Sequence, residues 1–247
     1  MQPQPIDTIF SEKRKKIDFA FNEEVVNVFS DMIKRSAPGY PTIIEQIGRF
    51  APLFAENNSK IYDLGCSLGA ISNALRHSIK TENTEIIAID NSAPMIEKAS
   101  QFFQLQDQVH DGLIPIHLKH DDITQVDFEP ASIFVLNLTL QFIEPSERLA
   151  LLSKIHQSLL PTGALFLSEK TYFHDPEEQA VLDDMHLAFK RANGYSELEI
   201  SQKREAIENV MRIDSFEIHK ERLHQAGFTR VYQWFQCLNF ISIIALP

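Results

Sequence analysis

Apolar and polar positions along this chain follow two periods. Short apolar runs, read as buried strands, alternate with stretches in which apolar residues recur every three or four positions, read as helices packed on those strands. The run from Lys60 to Leu64 ends in a tight turn, Gly65-Cys66-Ser67-Leu68-Gly69, and passes into a helix over about 68–78 whose apolar face continues through Ile71, Ala74 and Leu75. A second strand over 84–90 ends in Asp90, and Asn91-Ser92-Ala93-Pro94 opens a helix carrying Met95, Ile96, Ala99, Phe102 and Phe103. Met95 reads as core. The third strand is expected over 113–118 and the fourth over 131–142, apolar on both faces as a central parallel strand should be, with Asn137 as its one polar interruption. A helix over 145–160, with Leu149, Leu152, Ile155 and Leu159 on one face, is stopped by Pro161-Thr162-Gly163 before a fifth strand over 164–169.

The period then changes. Helical patterning over 175–193 and 196–209, with no strand between, exceeds an ordinary crossover and predicts a helical insertion of about 175–210 that forms a cap, a lid or a dimer surface. A helix over 215–226 follows, stopped by Gly227-Phe228, and two strands over 229–235 and 238–245 meet at Gln236-Cys237, so at least one of them runs antiparallel. Upstream, Asn22 is placed to cap a helix over 23–34 with Val25, Val26, Phe29, Met32 and Ile33 on its apolar face. The segment 35–41 breaks it, pinning Tyr40 in a rigid loop as a hydrophobic plug or a lid, and Pro41 starts a helix to about Phe54. Residues 1–21 read as an N-terminal arm and 22–247 as one domain. The pattern predicts an α/β fold: a doubly wound, seven-stranded, mostly parallel sheet with one antiparallel strand, extra N-terminal helices and an insertion after strand five.

Charge narrows the partners. The chain has 23 Lys and Arg against 34 Asp and Glu, a net charge of -11, and a surface of that sign repels RNA and DNA. Direct nucleic-acid binding is therefore not expected, and a small substrate is. No run reaches the roughly 18 to 20 apolar residues of a membrane span, and Met1-Gln2-Pro3-Gln4-Pro5 lacks the basic flank and apolar core of a secretory signal. A cytoplasmic protein without membrane contact is expected, and its two cysteines, Cys66 and Cys237, read as reduced thiols.

A doubly wound sheet binds ligands at the carboxyl ends of its strands. The turn at Gly65 carries no run of glycines and basic residues to cradle a triphosphate, and Asp63 would repel a pyrophosphate. The turn instead is similar to the first motif of class I S-adenosylmethionine-dependent enzymes, in which it passes under the amino acid end of the cofactor. Asp90, 25 residues after Gly65, stands where a carboxylate meets ribose hydroxyls, and Asp122 followed by Ile123 suits an adenine. Asn137 is either satisfied locally or aimed into the crevice, and its place near a strand's carboxyl end favours the crevice. His117, His120, Asp121 and Asp122 match no closed metal site, so no metal is expected. Cys66 has no activating histidine nearby and reads as packing. In the insertion, Lys190-Arg191 and Lys203-Arg204 lie near Tyr195, and Arg204 is either a clamp for an anionic group or a surface charge.

Several motifs in matching order carry a more specific likeness: Ser36-Ala37-Pro38-Gly39-Tyr40, Asp63 to Ala70, Lys190-Arg191-Ala192-Asn193-Gly194-Tyr195-Ser196, Ser201-Gln202-Lys203-Arg204 with Glu208-Asn209-Val210-Met211, and the ending Trp234 to Phe240. Together they resemble the carboxy-S-adenosyl-L-methionine synthase family over nearly the whole chain. The resemblance implies a class I methyltransferase-like, Rossmann-like fold and a homodimer that takes S-adenosyl-L-methionine and prephenate to carboxy-S-adenosyl-L-methionine and phenylpyruvate, with carbon dioxide from prephenate added at a methyl group made nucleophilic as a sulfonium ylide. It implies that a separate tRNA carboxymethyltransferase uses the product on 5-hydroxyuridine at the wobble position. Contacts with S-adenosyl-L-methionine or its carboxylated derivative carry over to Tyr40, Gly65, Cys66, Ser67, Asp90, Asn91, Asp122, Ile123 and Asn137. Arg204 carries over as the clamp on the added carboxylate, supplied across the dimer interface. The segment 103–118 looks longer than the family's. On the residues alone, a methyltransferase for a small acceptor and a binding module without chemistry stay open.

Overall fold

A computed structural model describes residues 5–12, 22–208 and 210–247. The strands β1 (Lys60–Leu64), β2 (Glu85–Asp90), β3 (Ile116–His120), β4 (Ala131–Asn137), β5 (Leu159–Lys170), β6 (Arg230–Cys237) and β7 (Phe240–Leu246) form one sheet in the order β3-β2-β1-β4-β5-β7-β6. The pairs among β1 to β5 are parallel, and β7 runs antiparallel to both β5 and β6. The order reverses between β1 and β4, the switch point at which such sheets open a crevice.

Helices α1 (Glu23–Ser36), α2 (Tyr40–Phe50), α3 (Ala70–Ser78), α4 (Ala93–Val109), α5 (Pro145–Ser158), α6 (Pro176–Ala192), α7 (Glu197–Glu208) and α8 (Phe216–Gln225) surround it. Alternation along the strands divides the core between the two faces of the sheet. Ile61, Ile133 and Val135 pack with Ile43, Ile47 and Leu75 of α2 and α3, whereas Tyr62, Phe134 and Leu136 pack with Leu152, Ile155 and Leu223 of α5 and α8. Each such fully buried aliphatic side chain contributes about 1.5–3 kcal/mol. Among the described residues no helix is long and apolar enough to cross a membrane.

Several sequence expectations shift. Strand β3 occupies 116–120 rather than 113–118, because Pro115 has no N–H for the ladder and offers only its carbonyl, which accepts from Ile86 N–H at 2.9 Å. Its exposed His117 and Lys119 are tolerated on an edge strand. Strand β4 stops at Asn137 rather than at 142; Leu138 turns to φ 59° and Leu140–Phe142 form a 3-10 turn. The long-range cause is Glu169, whose buried carboxylate accepts from the N–H groups of Thr139, Leu140 and Gln141 at 3.2, 2.8 and 3.0 Å. Helix α5 ends at Ser158, and β5 begins at Leu159, not 164. The extra residues bulge between Leu159, paired with Ala131, and Ala164, paired with Ile133. Gly163 is required there, since a Cβ would lie 2.5 Å from the Ser132 carbonyl oxygen. Leu149 faces outward, and Arg148 takes the inner position, its guanidinium donating to Asp214 Oδ2 at 2.6 Å and to the Ile143 and Arg212 carbonyls. Tyr40 is the first residue of α2 rather than a loop residue, with Gly39 at φ 78° as the N-cap, and the join between β6 and β7 falls at Leu238-Asn239.

The two-helix insertion is present as α6 and α7. The expected arm over 1–21 lies largely outside the described residues, and its described part, 5–12, is docked. Ile9 and Phe10 pack with Val25 and Met32 of α1 and Ala206 of α7, while Gln202 Nε2 donates to the Phe10 and Glu12 carbonyls at 2.8 and 2.9 Å.

Candidate functional site

At the switch point a cavity of about 470 Å3 opens between the carboxyl ends of β1, β2 and β4 and the helices α1, α6 and α7. That volume falls within the roughly 300–1,000 Å3 of small-molecule sites. Every residue that the sequence nominated for the site lines it, from Tyr40 and Gly65 to Arg204.

The turn after β1 is held by its neighbours. Gly65 and Cys66 both donate N–H to the Ile89 carbonyl, at 2.8 and 2.9 Å, which ties the turn to β2. Gly65 sits at φ 77°, and a Cβ there would meet Thr139 Cγ2 at 2.4 Å, so only glycine fits. Ser67 also takes a left-handed conformation, φ 51°, and donates its N–H to Asp90 Oδ2 at 2.8 Å. Asp90 Oδ1 accepts from Ser92 N–H at 2.9 Å, so both carboxylate oxygens are fixed by backbone while each keeps a further lone pair for a hydroxyl. Burial raises its pKa from the ordinary carboxylate value, against the pull of those two N–H groups. Asn91 lies just beyond, its carbonyl 3.2 Å from His120 Nε2.

Asp63 is buried at the base of the cavity, and its Oδ2 accepts from Ser72 N–H at 3.0 Å and Ser72 Oγ–H at 2.6 Å. Burial outweighs those bonds and pushes its carboxyl up to about 6. Tyr40 faces the same region, and burial together with the Asp63 charge keeps its phenol protonated, a neutral donor. Burial likewise pushes the Cys66 thiol well up, with Asp63 and Asp90 adding to it, which rules out a ready thiolate. Asp122 Oδ1 accepts from Thr124 N–H and Oγ1–H at 2.9 and 2.8 Å, with Ile123 buried beside it. Asn137 ends β4 with its side-chain oxygen buried and without a hydrogen-bond partner among the described residues, an acceptor waiting for a donor in the cavity.

The opposite wall comes from the insertion and is cationic. Lys190 of α6 and Arg204 of α7 line it with Lys170 at the end of β5; the arginine thus stands at the cavity of its own chain, where the resemblance implied one supplied across a dimer interface. Beside Arg204, Lys203 is buried, donating to Ser36 Oγ at 2.7 Å and Tyr195 Oη at 3.0 Å and lying 3.4 Å from Asp7 Oδ2. Tyr195 Oη–H donates to Asp7 Oδ2 at 2.5 Å under the Arg35 guanidinium, 3.9 Å from the ring centroid. This network joins 5–12, α1 and α7. Sequence reasoning missed Asp7 and Glu169; the available signal for Glu169 was an acid closing an otherwise apolar strand. Among the described residues no cluster of three His, Cys, Asp or Glu side chains is arranged for a metal, and His117 pairs with Glu85 at 2.9 Å.

Residues 61–163 match a methyltransferase-domain family. A carboxy-S-adenosyl-L-methionine synthase of Pseudomonas fluorescens (strain Pf0-1) is 58% identical over 248 residues, covering all of both chains. The chain belongs to the carboxy-S-adenosyl-L-methionine synthase family. A family member of Pseudomonas aeruginosa (strain UCBPP-PA14) is 55% identical over 98% of each chain. Among solved structures, human N-acetylserotonin methyltransferase in complex with SAM superposes on 91% of this chain and 56% of its own, with a TM-score of 0.62 at 15% identity. A cyclopropane synthase of Mycobacterium tuberculosis gives 0.57 at 14% identity over 78% of this chain and 62% of its own. These likenesses establish the Rossmann-like class I methyltransferase fold expected for the family.

Proposed function

We propose that this chain is the transferase that converts S-adenosyl-L-methionine and prephenate to carboxy-S-adenosyl-L-methionine and phenylpyruvate. The observation that carries the reading is one cavity with an acidic, backbone-fixed end at β1 and β2 and a cationic end at α6 and α7. A methyl transfer to a neutral acceptor needs no cation at the far end, whereas a carboxylate formed there does. The cradle fits an adenosyl group: Gly65 leaves room that any Cβ would fill, and Asn137 presents an unpartnered buried acceptor.

In this reading Asp90 and Asn91 hold the ribose, Asp122 and Ile123 the adenine, and Gly65-Cys66-Ser67 the amino acid end, where the neutral Tyr40 phenol donates. Arg204 holds the new carboxylate. S-adenosyl-L-methionine supplies a methyl group acidified by its sulfonium, and the proton it loses leaves as water with the hydroxyl lost from prephenate, while the carboxyl lost from prephenate becomes the new group. The same reading extends to a cytoplasmic homodimer whose product serves a separate tRNA carboxymethyltransferase, without direct nucleic-acid binding, as the net charge of -11 favours.

The test is to incubate the purified protein with S-adenosyl-L-methionine, with and without prephenate, and weigh the nucleoside product. A prephenate-dependent gain of one carboxyl group is expected. An unchanged mass, or transfer of labelled methyl to another metabolite, would sink the reading.

A further inference from the structure

Arg204 accounts for one carboxylate in the proposed reading, and the same wall carries a further cation, Lys190. Lys190, on the inner side of α6, is half-buried at the cavity and its ammonium makes no hydrogen bond or ion pair among the described residues. Burial and the like charges of Lys170 and Arg204 push it down to about 8, against the pull of Asp183. The Asp183 carboxylate lines the same cavity and accepts from Gln179 Nε2 at 2.8 Å, but makes no ion pair with Lys190. His186, one turn before Lys190, is held neutral by burial and bonds the Ser36 carbonyl at 2.8 Å, so it neither adds to nor offsets the charge. A half-buried ammonium that faces a cavity without an ion-pair partner among the described residues loses hydration that an entering anion would replace. Leu187 and Phe240 line the cavity nearby and supply the apolar surface that a cyclic hydrocarbon skeleton would cover.

We propose that Lys190, backed by Lys170, binds the carboxylate that the co-substrate keeps, so that the cavity selects a dicarboxylate whose two charges are divided between Lys190 and Arg204. The inference rests on the synthase reading for the identity of the co-substrate. It makes a distinction within the wall: Arg204 meets the carboxyl group that is transferred, and Lys190 meets the one that leaves with the monocarboxylate product.

The experiment compares the full-length wild-type protein with Lys190→Met and Lys190→Arg. For Lys190→Met, the KM for prephenate is expected to rise about tenfold or more, with a similar rise in the inhibition constant of phenylpyruvate and a much smaller change in kcat and in affinity for S-adenosylhomocysteine. Lys190→Arg should restore most of the loss, because a salt link needs the charge rather than the packing. A prephenate KM within twofold of wild type, or an equal loss of S-adenosylhomocysteine affinity, would overturn the proposal. If the wild-type protein makes no carboxylated nucleoside, the synthase reading fails by itself. The proposal is then decided by equilibrium binding of prephenate and phenylpyruvate to the protein saturated with S-adenosylhomocysteine, and equal binding by wild type and Lys190→Met, or none by wild type, overturns it.

Discussion

The two ends of the cavity are built by different means. At the sheet end the functional groups are short side chains fixed by backbone: Asp90 by two N–H groups, the Gly65 turn by the β2 carbonyl of Ile89. At the insertion end they are long side chains, Lys190 and Arg204, on helices that no strand ties down. Their orientation depends on side-chain contacts, chiefly Lys203 with Asp7, Ser36 and Tyr195. The contrast teaches that, in the proposed reading, an adenosyl group meets geometry set within the sheet, whereas an anion meets charges on helices held in place by side-chain contacts.

The largest expected effect attacks the insertion end. Asp7→Ala removes the carboxylate from a buried ion pair and should cost about 3–5 kcal/mol, read by chemical denaturation, with loss of order in α7 read by hydrogen exchange while β1 to β5 stay protected. Equal loss of protection in both regions would erase the contrast. At the rigid end, Gly65→Ala places a Cβ against Thr139 and should cost about 2–4 kcal/mol from overpacking and left-handed strain together, abolishing S-adenosylhomocysteine binding in calorimetry.

Arg204→Ala should leave stability within about 0.5 kcal/mol, since Arg204 is exposed, but remove the preference for carboxylated over ordinary cofactor, a loss of about 2–3 kcal/mol in that ratio. Persistence of the preference would refute the clamp. The smallest effect concerns Glu169, whose carboxyl burial pushes up from its ordinary 4.5 to about 8. The folded state then holds a proton that the unfolded state releases, so stability is full below about pH 4.5 and falls as pH rises toward 8. Glu169→Gln should flatten that slope, at a cost of about 1–3 kcal/mol for the donor it turns toward the Thr139–Gln141 turn.

The sheet end was legible in the chain because its signals are local. A strand, a glycine turn and an acid at the end of the next strand are contiguous or separated by a fixed crossover, and Gly65, Asp90 and Asp122 could be placed from spacing. What escaped depends on residues far apart. The end of β4 is decided by Glu169, about thirty positions on, and the inner face of α5 by Arg148, whose charge belongs in the core only because Asp214 is there to meet it. Periodicity assigns a charged residue to the surface, so Leu149 took its place. Asp7 and its partners show the same limit, since an acid in a polar N-terminal stretch carries no sign of a lysine 196 positions later.

That separation has a consequence for synthesis. Asp7 emerges from the ribosome among the first residues, and its partners Tyr195 and Lys203 follow 188 and 196 residues later. All of β1 to β5 is synthesised in the interval, so Gly65, Asp90 and Asn137 emerge well before Lys190 and Arg204. A chain stopped anywhere within 171–195 would carry Asp7 without Lys203, its N-terminal segment held by α1 alone, through Ile9 and Phe10 against Val25 and Met32 and Asp7 N–H on Asp31 Oδ2 at 2.8 Å.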